Sequence, residues 1–354
     1  MKSRKTQARR HPTPPRRPRE PHPWADFPDD ALADVRFSDL GVSLEGTPLE
    51  RRLAQLYDEL AQKRIRFRPA CWLSDEWFVP VHTPGIAAPF YLGHPRLMKL
   101  ERHMMFEVEG GTKGWCMRLL RHEAGHAVET AYRLHQRPKW KRLFGRASRT
   151  YPDYYRPSPF SRDHVLHLDW WYAQSHPSED FAETFAVWLN PRSRWRRRYD
   201  SWPVLEKLEY VDELMAEVAG TPPLVTSRAR IDPLHKLRQT IGTHYQEKRA
   251  RYLSEDRDVY DAALHRIFSA DAPSGAPRAT GLIRRTRPDL REHFAAGDRE
   301  ADYVVKLALR ELANRCRELD LRAATDDDTL RAGLIDLTAQ VIDDLRCSDN
   351  WVPL

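Results

Sequence analysis

Paired cysteines and long apolar runs are both missing from this sequence. The chain of 354 residues has four cysteines, none of them in a CxxC pair. This spacing disfavours a disulfide framework or a cysteine-based zinc site and is typical of a reducing compartment. No apolar run approaches the roughly 20 residues that span a bilayer, and no apolar segment follows the basic N-terminus as in a secretory signal. We therefore expect a soluble, cytoplasmic protein that does not enter a membrane.

Excess positive charge is missing from most of the chain. The net charge is +7, and residues 1–23, with eight Lys or Arg and one acid, account for all of it. Six prolines in the same stretch prevent it from building a core. We therefore expect residues 1–30 to form a disordered basic tail. Such a tail can hold polyanions loosely, but it gives no reason to expect specific nucleic-acid binding.

The most informative motif is HEAGH at residues 122–126, inside a segment with helical spacing of its apolar residues. Two histidines four apart on a helix project from one face, about 6 Å apart along the axis, so both rings can reach one metal ion. Glu123 stands beside the first histidine, where it can take a proton from a water molecule that the metal activates. The spacing of His122 and His126 therefore predicts the HExxH site of zinc hydrolases. The alternative is an amphipathic helix with two surface histidines.

The extended motif HExxHxxGxxH is absent, because Glu129 and Tyr132 stand where it has Gly and His. A catalytic zinc site needs a third protein ligand, so that ligand comes from another segment. Residues 172–189 predict a largely buried helix with Glu179 and Glu183 one turn apart, and buried carboxylates are costly without a positive partner. We predict Glu179 as the third ligand and Glu183 as the carboxylate that orients a ligand histidine. The alternative, acids favoured by the helix dipole, fits Glu179 but not Glu183.

Together, RHEAGHAVE and YAQSHPSEDFAETFAVWL resemble the site segments of a bacterial family of zinc-binding metallopeptidases. More distantly they are similar to gluzincins such as the Mlc titration factor A peptidase and the catalytic domain of lethal factor. The resemblance covers roughly residues 55–250. It implies a zincin-like fold, one Zn²⁺ per chain held by His122, His126 and Glu179, and an oxyanion-stabilising or proton-donating role for Tyr172. Some members carry an N-terminal cysteine-rich zinc ribbon, which this chain lacks.

The implied reaction is hydrolysis of an amide bond in a peptide or protein, with Glu123 as the general base. Two alternatives stay open: an amidase for non-peptide substrates with the same site, and a catalytically silent binding or regulatory protein of the same fold. The presence of Glu123 argues against the silent form. His164 or His167 could replace Tyr172 as the oxyanion donor, whereas His176 is predicted to be a turn or cap residue.

The rest of the pattern predicts a mostly helical α+β fold. Periodic apolar residues predict a helix within 49–65. From about residue 69 to 100, the composition predicts strands and turns, and hence a short sheet with an edge strand that can pair with extended substrate. The loop-rich segment 136–171 is expected to wall the cleft. Further helices are predicted at 113–137, 177–189, 203–218, 233–253, 297–318 and 328–346.

Three regions follow from this pattern. After the tail, we place a zincin-like metallopeptidase domain in residues 31–255 and a C-terminal helical region in residues 256–354, interrupted by a Pro-, Gly- and Ala-rich break at 271–281. Whether the C-terminal region is an extension or a small separate domain stays open, as does the oligomeric state.

A basic cluster directly follows the second segment. It consists of five arginines around Trp195 and Tyr199, namely Arg192, Arg194, Arg196, Arg197 and Arg198. We interpret it first as a solvated helix face. The alternatives are a carboxylate-binding patch for an acidic substrate or a peptide C-terminus, and a nucleic-acid contact.

Overall fold

The computed structural model describes residues 22–252, 257–323, 327–347 and 351–353. Helices dominate these residues, and the strands form three separate two-stranded pairs. The predicted class, α+β and mostly helical, is therefore confirmed. None of the described helices is both long enough and apolar enough to cross a membrane.

The described α-helices are, in chain order, α1 (Asp29–Ala33), α2 (Pro48–Gln62), α3 (Pro95–Met105), α4 (Lys113–Tyr132), α5 (Pro138–Phe144), α6 (Pro177–Leu189), α7 (Trp195–Arg198), α8 (Leu205–Val218), α9 (Ile241–Tyr252), α10 (Asp261–Ile267), α11 (Ala279–Ala295), α12 (Arg299–Glu318) and α13 (Asp327–Cys347). The strands are β1 (Ala70–Ser74), β2 (Gly85–Pro89), β3 (Tyr154–Tyr155), β4 (Phe268–Ser269), β5 (Arg322–Ala323) and β6 (Val352–Pro353). Short 3-10 helices include Phe90–Gly93 and Tyr172–Gln174.

The first described residues, from residue 22 onward, are part of the folded core. Residues 1–21 of the predicted tail lie outside the described residues. Trp24 is 3% exposed, and its indole N–H donates to the Leu40 carbonyl oxygen at 3.0 Å. Asp29 accepts a hydrogen bond from Arg96 at 2.5 Å. The prediction of a disordered tail up to residue 30 is therefore wrong for residues 22–30, because Trp24 finds a buried, hydrogen-bonded place in the core.

The short sheet lies before α4, where the sequence predicts it. Strands β1 and β2 are parallel, with Ala70 opposite Gly85. The predicted free edge is not found on β2, because its outer side carries Phe78. The Ala87 N–H donates to the Phe78 carbonyl at 2.9 Å, and the Phe78 N–H donates to the Ala87 carbonyl at 3.4 Å. The extended region also ends earlier than residue 100, since α3 begins at Pro95.

Helices α4 and α6 pack against each other and approach closely at Gly125. Thr112 caps the start of α4 by accepting a hydrogen bond from the Trp115 N–H at 3.3 Å. The helix ends at Tyr132, not at residue 137, because Arg133 adopts the left-handed conformation. A Cβ atom added at Gly125 would lie only 2.8 Å from the Ala182 Cα, so the absence of a side chain at 125 allows this approach.

The C-terminal helices form a second hydrophobic cluster. It contains apolar residues of α10 to α13 together with Leu166 and Trp171, which precede α6. The C-terminal strand β6 pairs antiparallel with β3, so this region also meets the loop before α6. Helices α12 and α13 confirm the predictions for 297–318 and 328–346, whereas α10 and α11 were not predicted. The division into two domains at residue 256 stays a prediction.

Candidate metal centre

The structure brings His122, His126 and Glu179 together. The two histidines project from α4, and Glu179 lies in the first turn of α6. The two Nε2 atoms are 3.1 Å apart, and each lies 3.1 Å from the Oε2 atom of Glu179. Across the residues that the structure describes, this is the one group of three or more His, Cys, Asp or Glu side chains arranged to hold a metal.

The donor set fits zinc by chemistry and by spacing. Two imidazole nitrogens and one carboxylate oxygen are a typical protein ligand set of an open catalytic zinc site. Ligand atoms about 2.0–2.1 Å from a tetrahedral ion lie about 3.3 Å from one another. The three separations of 3.1 Å are close to that value. Little rearrangement of the three side chains would therefore be needed to bind the ion.

Glu183 lies against the opposite side of the His122 ring. Its Oε1 atom is 2.8 Å from His122 Nδ1, and its Oε2 atom accepts a hydrogen bond from the Leu168 N–H at 2.7 Å. The side chain is fully buried. With Nδ1 occupied in this way, the Nε2 atom of His122 faces His126 and Glu179, which is how an outer carboxylate orients a zinc-binding histidine.

Opposing charges dominate the electrostatics of the group. Burial alone would raise the pKa of Glu179, but His126 and His122 hold that pKa well below its usual value. Burial also works against charge on the histidines, yet the hydrogen bonds that His122 donates to Glu179 and Glu183 raise its pKa well above its usual value. Glu179 raises the pKa of His126 in the same way. Two buried carboxylates are thus paired with positive charge, as the sequence argument requires.

Glu123 lies on α4 between the two histidines in sequence. Unlike Glu179 and Glu183, its carboxyl has a raised pKa. Burial raises the pKa of its carboxyl, and the neighbouring His122 and His126 lower it in part. Among the described residues, no hydrogen bond or ion pair engages this carboxylate. A buried carboxylate with a raised pKa and no partner is suited to exchange a proton with a nearby water molecule.

Two tyrosines approach the group from outside the helices. The Tyr172 ring centroid lies 5.6 Å from that of His122, and burial keeps the pKa of its hydroxyl well above the usual value. Tyr151, which the sequence did not single out, donates from its hydroxyl to Glu179 Oε1 at 2.7 Å. Its ring stacks on His176, with centroids 3.8 Å apart. Tyr151 lies in a loop without periodicity, so only the aromatic content of 136–171 pointed to its neighbourhood.

The other candidate histidines point elsewhere. His167 Nε2 lies 3.1 Å from the Arg118 carbonyl oxygen, and burial lowers the pKa of His167 to about 4. His164 lies 3.8 Å from Asp180, and burial lowers its pKa to about 4 as well. His176 caps α6 by accepting a hydrogen bond from the Ser178 N–H at 3.1 Å, which confirms its prediction as a cap residue.

The basic cluster includes one ion pair and residues that line a cavity separate from the candidate ligands. Arg196 pairs with Asp212 at 2.5 Å. Arg194 and Arg197 help to line a cavity of about 450 Å³, and the lining includes none of the three ligand residues. The three interpretations of this cluster stay open.

Comparison with known proteins gives no relative for this chain. No family model matches it, and neither a curated protein nor a solved structure is significantly similar to it. Evidence for its function therefore comes from the two segments and the geometry around them.

Proposed function

We propose that this chain is a zinc-dependent hydrolase that cleaves amide bonds in peptides or proteins. The observation that supports the proposal is the mutual approach of His122, His126 and Glu179 to 3.1 Å, with the unpartnered carboxylate of Glu123 beside them. The two sequence segments that resemble zinc-binding metallopeptidases carry all four residues. The zincin-like character of the fold belongs to the same proposal.

Each residue would have a distinct part in the reaction. If bound by the three residues, Zn²⁺ would polarise the substrate carbonyl and would lower the pKa of a water molecule to about 7. Glu123 accepts the proton from the attacking water and delivers it to the leaving amine. Glu183 keeps the Nδ1 atom of His122 engaged, so that the Nε2 atom is available as a ligand.

Tyr172 is proposed as the donor to the oxyanion of the tetrahedral intermediate. A tyrosine hydroxyl is protonated at neutral pH, and burial raises the pKa of Tyr172 further, so this hydroxyl can donate a hydrogen bond. Loss of one such donor typically costs about 3–4 kcal/mol of transition-state stabilisation. Tyr172→Phe should therefore lower kcat by about 100-fold or more while metal content stays unchanged.

The proposal is tested by metal analysis combined with two substitutions. Protein purified without chelator should contain close to one zinc per chain when its metal content is measured by inductively coupled plasma mass spectrometry. Glu179→Ala should lose the zinc, whereas Glu123→Gln should keep it and lose hydrolysis. A folded wild-type protein that takes up no zinc would contradict the proposal.

Substrate profiling distinguishes the alternatives. Zinc-loaded protein is incubated with a peptide library and, in parallel, with small non-peptide amides. Cleavage in the library supports a peptidase, and cleavage confined to the small amides supports the amidase. A zinc-loaded protein that cleaves neither, and behaves like Glu123→Gln, would be the silent form.

A further inference from the structure

The segment 168–171, which leads into Tyr172, has a strained backbone. Trp170 and Trp171 both lie in the left-handed region, with φ of 58° and 53°. That conformation costs a non-glycine residue about 1–3 kcal/mol and persists only where the surroundings enforce it. Two bulky residues in succession therefore require contacts that hold this segment from outside.

A single hydroxyl group of α12 supplies such a contact. The Tyr303 hydroxyl donates to the Leu168 carbonyl oxygen at 2.8 Å and accepts from the Trp171 N–H at 2.8 Å. A tight turn over these four residues would join that carbonyl to that N–H directly. The tyrosine hydroxyl stands between the two groups instead and satisfies both. Its ring lies beside the Trp171 indole, with centroids 5.3 Å apart, and Tyr303 itself is buried.

At its first residue, Leu168, the same segment contacts Glu183 beside the candidate metal centre. The Leu168 N–H donates to Glu183 Oε2 at 2.7 Å, and Glu183 Oε1 contacts His122 Nδ1 at 2.8 Å. Polar contacts thus run without a gap from Tyr303 through Leu168 and Glu183 to His122. Asp169, next in the segment, is also paired with Arg310 of α12.

We propose that Tyr303 is a positioning residue for the metal centre. Its hydroxyl fixes the backbone of 168–171, which aims the Leu168 N–H at Glu183 and thereby fixes the His122 ring. The inference rests on the proposed function, because it takes His122 as a metal ligand. Helix α12 then belongs to the metal centre although it provides no ligand.

The test is the substitution Tyr303→Phe, which removes only the hydroxyl. Loss of an outer group that bonds directly to a zinc ligand typically costs about 10–100-fold in metal affinity. The Tyr303 hydroxyl acts one step further out, through Leu168 and Glu183, so we expect Zn²⁺ affinity, measured by competition with a chromophoric chelator, to fall by a few-fold to about 10-fold. The visible spectrum of the Co²⁺-loaded variant should change, because that spectrum reports the ligand geometry. The matched control is Tyr260→Phe, which removes a tyrosine hydroxyl bonded to Asp344 at 2.8 Å within the C-terminal helices.

A double-mutant cycle separates positioning from general destabilisation. If Tyr303 acts through Glu183, then Tyr303→Phe combined with Glu183→Gln should lower Zn²⁺ affinity no more than Glu183→Gln alone. Additive losses, or wild-type affinity in Tyr303→Phe, would overturn the inference. Should the wild type bind no zinc, the proposed function fails first. The inference about segment 168–171 is then decided by amide hydrogen exchange, where Tyr303→Phe should speed exchange at Leu168 and Trp171 and Tyr260→Phe should not.

Discussion

At the scale of single residues, His244 combines burial with an incomplete set of hydrogen bonds. Its ring packs edge-to-face against Phe37 and Phe90, with centroids 5.3 and 5.7 Å away, and its Nε2 atom has no hydrogen-bond partner among the described residues. Burial, aided by the positive charge of Lys248, lowers the pKa of His244 to about 4. The folded protein therefore favours the neutral ring.

This residue makes stability depend on pH in a defined direction. The pKa of an unfolded histidine is about 6.5, so stability from a neutral His244 is complete above that pH and is lost as the pH falls towards 4. Between pH 6.5 and 4.5 the loss from this residue is about 2 kcal/mol. The free energy of unfolding is measured with denaturant at pH 6.5 and at pH 4.5. In His244→Phe, the difference between these two free energies should be smaller than in the wild type by about 2 kcal/mol. His265→Phe, at an exposed position, is the control, and an equal effect there would contradict the assignment.

The sequence identifies the candidate ligand residues that come together better than it identifies the residues around them. His122, Glu123 and His126 lie within two turns of one helix, so their proximity follows from helical geometry. Glu179 and Glu183 could be selected because carboxylates on a buried helix require positive partners. Tyr151 could not be selected from the sequence, because it lies in a loop without repeating geometry. The contact between Tyr151 and Glu179 depends on the tertiary fold.

At the scale of elements, the spacing of α4 and α6 depends on Gly125. Gly125→Ala places a Cβ atom 2.8 Å from the Ala182 Cα, so the helices must move apart. Overpacking of this kind costs about 1–3 kcal/mol, more than the gain of up to about 1 kcal/mol in helix propensity. We expect a lower free energy of unfolding, and weaker Zn²⁺ binding because Glu179 would move with α6.

The matched control for this substitution lies in the same helix. A Cβ atom at Gly114 meets nothing within 4 Å, so Gly114→Ala should be neutral or stabilise by up to about 1 kcal/mol. Chemical denaturation and chelator competition on both variants provide the measurement. Equal stability of the two variants would show that the close approach of α4 and α6 is not limiting.

Helices with clear boundary residues were predicted well, and those with mixed signals were missed. Proline after a capping residue and a loop after the last apolar residue define α6, and its predicted range agrees with the structure. Helix α11 contains Pro288 in its interior, a residue that normally ends a helix, so the sequence pattern does not predict a helix there. Helix α3 follows aromatic and proline residues typical of strands. The sequence pattern therefore predicts an extended region up to about residue 100, which overlaps the start of this helix at Pro95.

At the scale of the whole molecule, the two hydrophobic clusters are tied together at several places. Leu166 and Trp171 complete the cluster of the C-terminal helices. Arg310 of α12 bonds to Glu107, which follows α3, and to Asp169. Separating the regions would expose the apolar side chains of Leu166 and Trp171 and would break both of these partly buried ion pairs.

We therefore expect the chain to unfold in a single cooperative step. Far-ultraviolet circular dichroism and tryptophan fluorescence should give coincident denaturant transitions, because Leu166 and Trp171 of the preceding region complete the cluster of the C-terminal helices. Two transitions separated in denaturant concentration would contradict this and would favour an independent C-terminal domain. The sequence could not decide this point, since the contacts between Leu168, Trp171 and Tyr303 join residues far apart in the chain.

The bridge between Phe78 and Ala87 bears on how an extended ligand would be recognised. Backbone pairing accepts almost any sequence, because it reads only main-chain N–H and C=O groups. With those groups of Ala87 already engaged, a peptide cannot extend the sheet there. On that side of the sheet, preference among peptides would be set by side-chain contacts, and the exposed Tyr151 in the loop before α6 is where altered selectivity should be sought.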